Sequence, residues 1–138
     1  MVVKFTVLGE PKGKQRPRMT KMGHTYTPAE TVEYENLVKM EYRRQCHDFR
    51  FGDQTPLDMR IIAYYSIPKS VSRKKRQDMI DHRIRPLKRC DWDNLGKLIA
   101  DGLNNIAYKD DVQIVDAQVR KFYGEIPRVV VTIQEASV

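Results

Sequence analysis

Cysteine is scarce in this 138-residue chain: Cys46 and Cys90 lie far apart, outside any Cys-x-x-Cys pattern or Cys/His cluster. That excludes a disulfide framework and a structural zinc site. His24, His47 and His82 are scattered, with no cluster to hold a metal, and each reads as structural rather than catalytic. No apolar run approaches the ~20 residues of a membrane-spanning helix. The opening MVVKFTVLGE alternates instead of forming the apolar stretch of a secretory signal, and a cytoplasmic location is the expectation. A Gly-rich phosphate loop is missing, which argues against a transferase holding a nucleoside diphosphate. Repeats, low-complexity tracts and linkers are also missing. With 41% hydrophobic and 31% charged residues, the expectation is one globular domain over residues 1–138.

What the chain does have is positive charge in blocks. The formal net charge is +7, and residues 69–89 alone carry nine Lys/Arg against Asp78 and Asp81. Residues 1–24 hold six Lys/Arg against Glu10, whereas 25–68 and 90–138 are both net acidic. Two basic blocks around acidic stretches suggest a polyanionic partner gripped by particular surfaces. Lys12, Lys14, Arg16 and Arg18 of the first block, with Arg73, Lys74, Lys75 and Arg76 of the second, are the candidate phosphate contacts.

Periodicity gives the elements. Residues 2–9 read as a strand with Val3, Phe5 and Val7 on one face, and 9–28 as a long basic loop punctuated by Gly and Pro. Thr27, Pro28 and Glu30 look like the cap, first position and capping-box position of a helix running to about His47. Val32, Leu37, Val38, Met40 and Tyr42 would supply its apolar contacts. Residues 57–66 read as a strand, and Ser70 or Ser72 caps a basic helix over about 73–83. A third helix follows over 94–105, then strands over 112–124 and 128–136 joined by Gly124–Pro127 as a hairpin. The order implies an α+β fold with a mixed sheet of about four strands packed with helices.

The chemistry concentrates in CDWDNLGKLIADGLNNIAYKDD, residues 90–111. With Asp93 as the cap of the third helix, Lys97 and Asp101 fall along one polar stripe at roughly 100° per residue, and Leu95, Leu98, Ile99 and Leu103 on the opposite arc. Asn105 would end the helix in the left-handed conformation. Asp91 and Asp93 in an extended lead-in point to the same side. One of Asp110 and Asp111, at the start of the next strand, joins them if that strand lies beside the helix start. Carboxylates that converge in this way call for a hard cation, Mg²⁺ or Mn²⁺ as a substitute, with no other small-molecule cofactor. Such an ion can polarise a phosphodiester and supply hydroxide. Lys97 is placed to hold the attacking water or neutralise the pentacovalent phosphate. Trp92, the only tryptophan, reads as core packing.

The composite D-x-D-N-x-x-K-x-x-x-D followed by D-D resembles the RusA family of Holliday junction resolvases, small phage and prophage endonucleases. FTVLGEPKGKQRPRMTKMGHTYTPAETVEYE and DDVQIVDAQVRKFYG resemble that family's N-terminal and C-terminal patterns, so the likeness covers both ends of the chain. By position, it implies that Asp91, Asp93 and Asp111 are metal-binding catalytic aspartates and Lys97 a functional lysine. Asp101 and Asp110 match acidic positions standing behind them. It also implies a RusA-like fold, a homodimer, and four-way DNA junctions as substrate, cut in recombination and repair. Cys90 occupies the place of a proline and Asn105 that of a glycine in the family pattern. A competing reading is a non-catalytic DNA-binding protein using the basic blocks 12–21 and 69–89, in which Asp93 only caps, Lys97 pairs with Asp101 and Asp110-Asp111 make a turn.

Overall fold

The computed structural model describes residues 1–138. The chain runs through β1 (Val2–Leu8), β2 (Arg18–Met19), β3 (Thr25–Tyr26), α1 (Ala29–Cys46) and β4 (Leu57–Ser66). It continues through α2 (Arg73–Ile80), α3 (Trp92–Gly102), a tight helical turn over Asp111–Gln113, β5 (Ile114–Gly124) and β6 (Arg128–Glu135). This is an α+β fold with a mixed four-stranded sheet, in the order β1-β6-β4-β5. β6 is antiparallel to both neighbours, whereas β4 and β5 are parallel.

Alternation with a period of two sets the buried face. Val3, Phe5 and Val7 of β1, Met59, Ile61, Ala63 and Tyr65 of β4, and Val129, Val131 and Ile133 of β6 all point to it. α1 covers this face with Thr31, Tyr34, Val38, Tyr42 and Cys46, and α3 with Leu95, Leu98, Ile99 and Gly102. All of these except Thr31 and Gly102 belong to one hydrophobic cluster. Full burial of each Leu, Ile, Val or Phe contributes about 1.5–3 kcal/mol. α2 buries Met79 alone and packs against β5. The segment after α2 places His82 and Arg85 over Phe122, on the opposite face of the sheet.

Four local expectations are corrected. β5 and β6 do not form a hairpin: Gly124–Pro127 carries the chain past the end of β4, and β6 enters between β1 and β4. The physical reason is burial. The alternate residues of β6 are fully buried, which suits an interior strand, whereas β5 is exposed over Val115–Gln118, which suits an edge. Pro28 rather than Thr27 is the N-cap of α1, with no side-chain cap. Val32 and Met40 face solvent, because the buried arc of α1 follows Thr31, Tyr34, Val38 and Tyr42 instead. The C-cap of α3 is Leu103, while Asn105 adopts the left-handed conformation two residues further on. Ser72 proves to be the residue that caps α2, its hydroxyl accepting from the Lys75 N–H at 3.2 Å, and the helix stops at Ile80, just before the left-handed His82.

Candidate active site

α3 starts earlier than the spacing suggests, and this changes the geometry of the aspartates. Asp91 is the extended N-cap and Trp92 the first helical residue, so Asp93 lies in the first turn rather than on an extended lead-in. Alternation therefore does not relate the two carboxylates. On the helix, at roughly 100° per residue, Asp93 and Lys97 point away from the buried arc and are exposed. Asn94 and Asp101 lie on the flank facing α1 and the basic loop. Trp92 and Gly96 lie on the other flank, where Gly96 meets Val119 of β5.

The loop before β2 is pinned along α3. The Lys14 N–H donates to the Asn94 carbonyl at 2.9 Å, and the Gln15 N–H to the buried Thr31 hydroxyl at 3.2 Å. Gly13 is required by this close approach, since a Cβ there would lie 2.7 Å from the Cys90 Cβ and 3.0 Å from that of Asn94. Between loop and helix is a cleft of about 910 Å³ whose walls carry Lys12, Lys14, Arg16, Arg18 and Arg89, with Asp91 among them. Four cations expected to meet phosphate thus share one cleft. The other four, Arg73, Lys74, Lys75 and Arg76, are exposed on α2.

Lys14 is also tied to acids. Its ammonium donates to Asp101 Oδ2 at 2.5 Å and stands 3.7 Å from Glu35 Oε1. The Asp101 hydrogen bond raises its pKa above the ordinary lysine value, against an opposing effect of burial. Asp101 in turn meets Asp111. Burial, hydrogen bonding to Asp110 and then the Asp101 carboxylate push the Asp111 carboxyl up to about 6, while Asp110 is held below the usual range by its bonds to Asp111 and to the Val112 N–H.

Local hydrogen bonds explain the placement of Asp110 and Asp111. The Asp111 N–H donates to Asn104 Oδ1 at 2.9 Å, tying it to the end of α3. Asp110 caps the turn before β5, with Gln113 returning to the Lys109 and Asp110 N–H groups in a capping box. Gln113 Nε2 then donates to the Gly52 and Thr55 carbonyls, fixing the turn to the loop before β4.

Asp111 therefore joins Asp101 and Asp110 at the C-terminal end of α3, and Asp91 lines the cleft at the N-terminal end. Asp93 and Asp101 are eight residues apart on the helix, about 12 Å along its axis. No three acidic, histidine or cysteine side chains are gathered into a set that encloses one metal position. The donor chemistry, all oxygen, is that of a hard cation.

Trp92 is not core: 65% of it is exposed. The buried arc of α3 starts at Leu95, and Trp92 sits about 70° round from the centre of that arc. Arg89, Glu35 and Asn104 also stand at the site, although residue type alone does not single them out. Arg89 was visible as the end of the basic run 69–89. Glu35 and Asn104 carried no signal of their own, being ordinary helix and turn residues until the fold brings Lys14 and Asp111 to them.

The chain matches a known family across nearly its whole length. Residues 9–134 match the family described as Endodeoxyribonuclease RusA, and the chain belongs to that family of DNA endonucleases acting on Holliday junctions. It is 39% identical, over 98% of its own length and 97% of the relative's, to the "Uncharacterized protein YqaN" of Bacillus subtilis (strain 168).

Proposed function

We propose that this chain is a metal-dependent Holliday junction resolvase that works as a homodimer and nicks two opposed strands symmetrically. Its expected setting is phage or prophage recombination and DNA repair, in the cytoplasm. The observation that carries this reading, beside the family, is the cleft that sets Asp91 among Lys12, Arg16, Arg18 and Arg89. Carboxylates by themselves repel DNA, and a nuclease needs phosphate-binding cations next to them. Two-fold symmetry suits the task, since a dimer presents two equivalent sites to a four-way junction.

Mg²⁺, or Mn²⁺ in its place, would supply an activated water and offset charge on the leaving oxygen; Asp91 and Asp93 at the start of α3 would hold it, and the family resemblance adds Asp111, which the fold sets at the other end of the helix. The chain's own residues do the rest. Lys12, Arg16 and Arg18 hold the strand by its phosphates, and Arg73, Lys74, Lys75 and Arg76 extend the grip to another arm. Lys97, one turn after Asp93 on the same exposed stripe, offsets the negative charge on the phosphoryl oxygens as water adds to phosphorus and the P–O bond to the leaving oxygen breaks. Asp101 and Asp110 act through Asp111.

The test is a synthetic four-way junction incubated with the protein, with and without Mg²⁺. Paired symmetric nicks that EDTA abolishes, and that Asp93→Asn abolishes while junction binding survives, are the expected result. Equal cutting of linear duplex would leave a nuclease but remove junction selectivity. Indifference to both EDTA and Asp93→Asn would favour the non-catalytic DNA-binding alternative.

A further inference from the structure

The N-terminal turn of α3 forms a ridge with two different flanks. On one side lies the basic cleft, whose wall includes Asp91 and Asn94. The crest carries Asp93 and Lys97. On the other side stands Trp92, the only tryptophan of the chain, 65% exposed. An indole is the largest apolar side chain, and leaving most of it in water forgoes burial that the neighbouring Leu95, Leu98 and Ile99 obtain in full. Local packing therefore does not account for it.

We infer that Trp92 is a stacking platform for a nucleobase, and that it selects DNA whose bases are unstacked at a branch point. The inference rests on the reading of this chain as a junction nuclease and adds a specificity-determining residue to it. The Trp92 Cα is about 3.8 Å from the Cα atoms of Asp91 and of Asp93. A strand held by its phosphates in the cleft and cut at the crest meets the indole where it continues across the ridge to the far flank. In linear duplex the base faces are already covered by their neighbours, so the ring finds nothing to stack on. At a strand exchange point the faces open, and an aromatic surface can take one of them. The backbone cations hold any DNA alike, whereas the ring distinguishes branched from linear.

A lone tryptophan makes its own probe. In EDTA, titrating the wild-type chain with a synthetic four-way junction should quench its fluorescence strongly, and duplex of the same arm sequence should quench it far less. Trp92→Ala should weaken junction binding about ten-fold, within the range of one base–aromatic stack, and change duplex binding by less than two-fold. Trp92→Phe should restore most of the loss, which a purely structural role of the indole volume would not tie to junctions. If wild-type protein binds the junction tightly but its emission stays unchanged and Trp92→Ala binds equally well, the platform is wrong while the nuclease reading stands. If wild-type protein does not prefer the junction at all, both fail. A shift of emission with protein concentration in the absence of DNA would place the ring against a second copy of the chain and overturn the proposal.

Discussion

The Lys14 ammonium and Asp101 Oδ2 are 2.5 Å apart, joining the basic loop to the third helix across 87 residues of sequence. Lys14 reads from sequence as one more phosphate contact, and in the fold it is the partner of an acid. The two roles make different predictions.

Lys14→Ala should lower stability by about 1–2 kcal/mol, between the worth of a charged hydrogen bond and that of an exposed ion pair, because both side chains are about three-quarters buried. Lys12→Ala and Arg16→Ala should leave stability within about 0.5 kcal/mol and each reduce the salt dependence of DNA affinity by about one ion. Denaturant melts and salt titrations separate the two kinds of residue. A Lys14→Ala protein of unchanged stability and reduced salt slope would return Lys14 to the phosphate contacts.

Asp111→Asn should raise the melting temperature of the protein in EDTA at pH 7–8, and the advantage should disappear toward pH 4. The sign follows from linkage. A carboxyl whose folded pKa is about 6 keeps its proton in the native state after the unfolded chain has lost it. Stability from that group is present at low pH and is lost as pH rises from about 4 to 6. An asparagine carries no charge, and its amide can still donate to Asp110. Equal melting temperatures throughout this range would mean that neither burial nor the Asp110 and Asp101 carboxylates disfavour the charged form of Asp111. The same variant should lose cleavage.

Lys97→Ala should reduce junction cleavage about 10²- to 10³-fold, as removal of one charge-stabilising donor does elsewhere, with affinity changed only a few-fold. Single-turnover rates at saturating enzyme are the measurement. Lys97 is exposed, so thermal stability should hardly change. A fall in affinity that matched the fall in rate would make it a binding residue.

Gly13→Ala should destabilise the protein by about 1–3 kcal/mol, as overpacking does. The added methyl would meet the Cβ atoms of Cys90 and Asn94, which are fixed to backbone and cannot swing aside. The loop carrying Lys12 and Arg16 has to lift from α3, so junction affinity should fall with stability. Gly23→Ala offers a contrast. Nothing lies within 4 Å of the position an added Cβ would take, and only the positive φ resists the change. A Gly13→Ala protein as stable as wild type would show that the loop does not lie this close to the helix.

Much of the fold was legible because period-two and 3.6-residue patterns are local. β4 spans the residues expected of it, Ser72 caps α2, and α1 ends at Cys46 with His47 as its C-cap. The strand partners were not legible. A short link such as Gly124–Pro127 suits a hairpin in isolation, and nothing local in VQIVDAQVR says that it will be an edge. Only competition for the interior position beside β4 settles that, and the more fully buried β6 takes it.

The acidic segment divides in the same way. From sequence alone came the residue types that such chemistry needs, the two-faced helix that presents Asp93 and Lys97 to solvent, and the basic blocks that a polyanion requires. Tertiary structure decided which side chains meet. The antiparallel run of α3 and β5 brings Asp111 to Asp101, the loop around Gly13 sets Asp91 in a cationic cleft, and the first turn of α3 leaves Trp92 in water. The reason is physical: helix and strand periods fix the direction of a side chain about its own axis, whereas contacts across tens of residues depend on how elements pack, and no local pattern encodes that.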